Sequence, residues 1–79
     1  MSNIDKYRNV FLKSLSIDDS KLSDKLKYND IPEWDSIGHM TLISGLEDEF
    51  KISIETDDIV DFSSFEKGKE ILKKYKVTI

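Results

Sequence analysis

Asp35, Ser36 and His39 are the side chains whose types and spacing invite chemistry in this 79-residue chain. Carboxylate, hydroxyl and imidazole are the groups of a hydrolase triad, and residues three apart share one face of a helix. The surroundings do not support that use. No Gly-x-Ser-x-Gly elbow or strand leads into Ser36, and no oxyanion-hole donors are evident. Asp35 is also the natural cap of a helix starting at Ser36, which removes it as the acid that would orient a histidine. His39, the single histidine, is expected at the surface. A second constellation, Ile59-Val60-Asp61-Phe62-Ser63-Ser64-Phe65, echoes the end of a calcium loop. In register it puts Ser53 first, Asp58 at the required glycine and Ser64 at the bidentate glutamate, so the pattern fails. With no cysteine there is no disulfide framework and no thiolate ligand or nucleophile. No catalytic residue and no metal ligand is therefore assigned.

The elements that must hold Ser36 follow from periodicity and caps. Ile4, Tyr7, Phe11 and Leu15 recur at helical spacing and predict a helix over 3–16, capped by Ser2 or Asn3. Residues 17–35 form a long connection, anchored by Ile17, Leu22, Leu26, Tyr28 and Ile31, with Leu22 and Leu26 placed to share a helical turn. Pro32 biases Ile31 away from helix. Trp34 either packs this ordered loop on the core or meets a partner. Asp35 then starts a helix over 36–50, with Leu42, Ile43, Leu46 and Phe50 inward and Ile37 and Met40 toward the exposed edge. Gly38 and Gly45 each cost about 1 kcal/mol in a helix interior, a sign of close backbone approach.

Lys51-Ile52-Ser53-Ile54 reads as an extended linker, followed by a short helix over 57–61 capped by Thr56, with Asp57 and Asp58 at its positive end. Ser63 and Glu66 form a capping box for a last helix over 64–75, whose face carries Phe65, Gly68, Ile71, Leu72 and Tyr75. Three longer helices, one short helix and no sheet make an all-α chain, expected as a small four-helix bundle with a long ordered loop between the first two helices. Residues 1–79 are read as a single domain, small enough to bury only about 60–65% of its unfolded surface.

Charge narrows the partners. Residues 33–61 hold nine acids against Lys51 alone, a local charge of −8, while the remainder carries +4. Such a face argues against nucleic acid, whose phosphates need Lys and Arg. It suits proteins with basic docking surfaces, and equally a solvated face that keeps a small protein soluble. No apolar run is long enough to span a bilayer and the N-terminal residues have no signal-peptide core, so a cytoplasmic protein is expected.

Asp35-Ser36-Ile37, followed by Leu42, Leu46 and Glu47-Asp48-Glu49-Phe50, resembles the Asp-Ser-Leu motif and second helix of the acyl carrier proteins. The likeness extends over essentially the whole chain, whose element order is similar to that family's. It implies a non-catalytic phosphoprotein with 4′-phosphopantetheine attached to Ser36, beside Asp35. A phosphopantetheinyl transferase would load the arm from coenzyme A with Mg²⁺. Acyl- or aminoacyl-loading and acyl-transfer enzymes would then use its thioester, with the carrier expected to be a monomer. Ile37 and Met40 match positions that insert into partner enzymes, and Glu47 and Asp48 match salt-bridging positions. A change at Glu47 is accordingly expected to weaken docking at little cost in stability. Phe50, Ile54, Ile59, Phe62 and Ile71 are candidate walls of an acyl cavity and equally ordinary core residues. Gly38, Thr41 and Ser44 depart from the fatty-acid-synthesis pattern, whereas Trp34 and His39-Met40 look more like specialised bacterial carriers. A helical adaptor that docks through its acidic face without modification is the other class open to such a chain.

Overall fold

The computed structural model describes residues 2–79; Met1, the first residue of the expected domain span, lies outside them. The order of elements is α1 (Asn3–Leu15), a 3-10 turn (Asp19–Lys21), α2 (Ser36–Phe50), α3 (Thr56–Asp61) and α4 (Phe65–Lys74). The chain is all-α: among the described residues the only β pairing is an isolated antiparallel bridge between Lys27 and Ser64. Its Cα radius of gyration is 11.2 Å, close to the roughly 11.6 Å expected of a compact chain of this length.

Ser2 caps α1 by accepting a hydrogen bond from the Asp5 N–H, and Tyr7, Val10, Phe11 and Leu15 form its buried stripe. Ser16 ends the helix in the left-handed region at φ 54°, a common stop signal. Phe11 sits at the centre of an aromatic core, with ring centroids 5.0 Å from Tyr7, 5.0 Å from Phe65 and 5.3 Å from Trp34. Offset and edge-on contacts of this kind are the preferred aromatic geometry. The buried Tyr7 hydroxyl donates to the Phe65 carbonyl at 2.7 Å. Burial, and to a lesser degree Glu66, push that hydroxyl far above the ordinary tyrosine range. It stays a donor and ties α1 to α4.

The long connection is ordered, although not by the helical turn expected at Leu22 and Leu26. The 3-10 turn lies earlier, held to α1 by an Arg8–Asp19 ion pair of 2.8 Å. Leu22 and Leu26 are both buried, on either side of a turn closed by the Leu26 N–H and the Ser23 carbonyl. The loop then pairs with the start of α4: Phe65 N–H donates to Leu26 O at 2.9 Å and Tyr28 N–H to Ser63 O at 2.9 Å.

That pairing changes the cap of α4. Ser64, held extended at the bridge, accepts from the Lys67 N–H at 2.9 Å, so Ser64 is the N-cap. The expected Ser63–Glu66 box does not form, and Glu66 instead meets Lys69 at 3.1 Å. The cap position of α3 likewise falls on Glu55, with Thr56 as the first helical residue and no side-chain cap. Of the expected extended linker, Lys51 is instead the left-handed C-cap of α2, while Ile52 is half-buried against the core and Ile54 is buried in it.

Candidate functional site

Asp35 has extended backbone, and its Oδ1 accepts the Gly38 N–H at 2.8 Å, so Ser36 is the first residue of α2 as its sequence implied. The remaining N–H groups of the first turn, those of Ser36 and Ile37, belong to the set a helix cannot satisfy internally. Gly38 has a further reason to lack a side chain. A Cβ there would lie 2.1 Å from the Glu33 carbonyl oxygen, because the loop crosses directly over the start of α2. The glycine that departs from the resembling family's acidic position is thus required by local backbone packing.

Ser36 is exposed, and its Oγ lies 3.1 Å from the hydroxyl of Tyr28. His39 is not the free surface residue expected. Its Nδ1 accepts the Trp34 indole N–H at 3.0 Å, which leaves Nε2 as the protonated nitrogen, donating to the Ile59 carbonyl at 2.9 Å. Both ring nitrogens are committed, one to the loop and one to α3. His39 therefore cannot serve Ser36 as a base, and with Asp35 on its cap the triad reading has no geometry. Trp34 is 0% exposed, stacked 20° from the His39 ring plane and edge-on to Phe11. Of its two expected roles it takes the packing one.

Ile37 and Met40 are 78% and 57% exposed, and α3 contributes Val60 at 76%. Val60 escaped the sequence reading. The signal was present in Asp57-Asp58-Ile59-Val60-Asp61: once Ile59 turns inward, its neighbour on a short helix is rotated about 100° away. Beside Ser36, Tyr28, His39, Ile59, Val60 and Ser63 line a small cavity of about 200 Å³. Of the candidate cavity walls only Ile59 borders it; Ile54, Phe62 and Ile71 are buried core and Phe50 is half-buried against that core. A broader groove of about 550 Å³ runs between α1 and α2, bordered by Lys13, Ser14, Met40, Thr41, Ser44, Gly45 and Asp48. A Cβ on Gly45 would stand 2.7 Å from Ser14 Oγ, which accounts for the close approach of the two helices.

The acids divide into two kinds. Asp48 and Glu49 at the end of α2 are exposed, as are Asp57 and Asp61 on α3. Glu47 is half-buried, and its Oε2 accepts the Ile54 N–H at 2.8 Å. It therefore holds the linker to α2, which corrects the expectation that Glu47 could be changed at little cost in stability. Asp58 is 8% exposed, with Oδ1 2.7 Å from Lys74 Nζ and Oδ2 2.5 Å from the Tyr75 hydroxyl. Tyr75 in turn accepts the Glu55 N–H at 3.0 Å. Hydrogen bonds from Lys74, then Tyr75, hold the Asp58 carboxyl below the usual aspartate range, and the Lys74 ammonium and Tyr75 hydroxyl are both raised, chiefly by their hydrogen bonds to Asp58. Sequence suggested only a helix-dipole role for Asp58; the structure makes it the latch between α3 and α4.

Among the described residues no group of three or more His, Cys, Asp or Glu side chains is placed to hold a metal ion. None of their helices is long and apolar enough to cross a membrane. No family model matches the chain, and no match to it is found among curated proteins.

Proposed function

We propose that this chain is a carrier protein, holding acyl or aminoacyl groups as thioesters on a 4′-phosphopantetheine arm attached to Ser36. The observation that carries the proposal is the setting of Ser36. It is an exposed hydroxyl at the first position of a capped helix, hydrogen-bonded to the Tyr28 side chain, with the exposed Ile37 and Met40 on the same helix and a small cavity lined in part by Tyr28. A catalytic serine needs a base, whereas here His39 is fully engaged. An attachment serine needs access and a place for its phosphate.

The site fits a phosphodiester. Its oxygens would face the first-turn N–H groups of α2 at the positive end of the helix dipole. Tyr28 can donate to them and the Asp35 cap keeps the turn in place. When bound, the arm supplies a thiol that carries cargo as a thioester. The protein's own part is presentation. Ile37, Met40 and Val60 offer apolar contact next to the attachment point. Asp48, Glu49, Asp57 and Asp61 draw in partners with basic surfaces, namely a phosphopantetheinyl transferase and acyl- or aminoacyl-transferring enzymes. We read the helices as a four-helix bundle in which α1 lies along α2, α4 closes on α1 through Tyr7 and Phe65, and the short α3 covers the remaining side.

Incubation with coenzyme A, Mg²⁺ and a broad-specificity transferase should add one phosphopantetheine, seen by intact-protein mass spectrometry. Ser36→Ala should abolish the adduct. A folded wild-type protein that stays unmodified would sink the proposal and leave the unmodified adaptor, for which Ser36 is dispensable.

A further inference from the structure

The hydroxyl of Tyr28 is held for one purpose that the fold does not explain. Its backbone is fixed on both sides: its N–H donates to Ser63 O at 2.9 Å, and the next residue, Asn29, stands at φ 70° with its N–H on Trp34 O at 3.0 Å. Its ring meets His39 edge-on with centroids 5.4 Å apart and Trp34 edge-on at 6.3 Å. These contacts need only a phenyl ring. Among the described residues the hydroxyl meets only Ser36 Oγ, at 3.1 Å, on the exposed side of the ring cluster. The rest of the Tyr28 ring lines the adjacent cavity.

We infer that Tyr28 is a positioning residue for modification of Ser36, acting before and after the bond is made. This rests on the carrier reading above. Before transfer, the hydrogen bond between Ser36 Oγ and Tyr28 Oη, in which either hydroxyl can donate, fixes the serine rotamer. In the transfer itself the Ser36 Oγ–phosphorus bond forms and the pyrophosphate P–O bond of coenzyme A breaks. Adenosine 3′,5′-bisphosphate leaves, and the serine proton passes to a base supplied by the transferase. Afterwards Oγ is an ester oxygen with no hydrogen. Tyr28 then becomes the donor, and its better acceptor is a charged non-bridging phosphate oxygen, because hydrogen bonds to ionised oxygen are the stronger kind. One hydroxyl thus holds the unmodified serine and donates to the modified one, limiting the directions the arm can leave the surface.

The test uses Tyr28→Phe, which keeps the ring and therefore the fold, as a thermal melt would verify. With purified transferase and coenzyme A, kcat for modification should fall about fivefold, the effect of one hydrogen bond, with KM for the protein unchanged. In the modified protein the ³¹P resonance of Tyr28→Phe should move toward the position seen for wild type in urea. An unchanged kcat, a loss confined to KM, or an unchanged ³¹P resonance overturns the role of Tyr28 while the carrier reading stands. A wild-type protein that accepts no phosphopantetheine overturns both.

Discussion

The two ends of α2 use the same device to opposite effect. At the N-terminal end Asp35 accepts the Gly38 N–H; at the C-terminal end Glu47 accepts the Ile54 N–H. Asp35 works with the helix dipole, which favours negative charge there. Glu47, Asp48 and Glu49 work against it, with Lys51 closing the helix in the left-handed region at φ 55°. The N-terminal end is braced from beneath by Trp34, His39 and the Glu33 carbonyl, and exposes a serine and two apolar side chains. The C-terminal end is braced by one carboxylate and exposes the other two. A braced helix start with an exposed serine lies at one end and a cluster of exposed acids at the other. Acids at a helix C-terminus therefore need not all be there for docking; one of the three secures the chain that follows.

The sharpest break in this comparison is Trp34→Ala. It empties the space beneath the serine and removes the His39 bond, so a loss of about 3–5 kcal/mol is expected, measured by urea unfolding. For a domain of this size that is a large fraction of the total stability. A loss below about 1 kcal/mol would mean that the N-terminal platform is not what holds the loop.

Glu47→Ala tests the other end. It should cost about 1.5–3 kcal/mol, the value of a hydrogen bond to a charged group, while Glu47→Gln, which keeps an acceptor for the Ile54 N–H, should recover most of it. Asp48→Lys should change stability by no more than about 0.5 kcal/mol and weaken partner binding, most visibly at low salt. Equal stability of the Glu47→Ala and Asp48→Lys proteins would erase the distinction between the two acids.

The α3–α4 latch is read as a pH profile of Tm. Asp58 has a carboxyl lowered in the folded state, so its contribution is present above the unfolded value of about 3.9 and fades as pH falls through the folded value. Lys74 and Tyr75 are raised, so theirs is full below about pH 10 and fades as pH rises through their folded values. Wild type should exceed Asp58→Asn by several degrees between these limits, and the two curves should converge outside them. Curves that stay parallel into acid would show that the carboxylate is not the latch.

Relations between near neighbours in the chain were legible from residue types. The Tyr7, Phe11 and Leu15 part of the α1 stripe, the Asp35 cap, the first position of Ser36 and the exposure of Ile37 and Met40 all follow from near-neighbour spacing, which the backbone geometry of a helix converts directly into a face. Even local rules failed where a distant segment intervened. The capping-box pattern put the cap of α4 at Ser63, and the bridge from Lys27 moved it to Ser64.

What the sequence by itself determined was the helical content, the position of the exposed serine and the polarised charge. What only the tertiary structure decided was which polar side chains are already occupied: His39 by Trp34 and Ile59, Glu47 by Ile54, Asp58 by Lys74 and Tyr75, and Ser36 by Tyr28. The physical reason is that a buried or half-buried polar group must find a partner wherever the packed chain supplies one. Most of those partners lie beyond the reach of helical periodicity, and a residue's type states what it can bond, not what the fold brings to it.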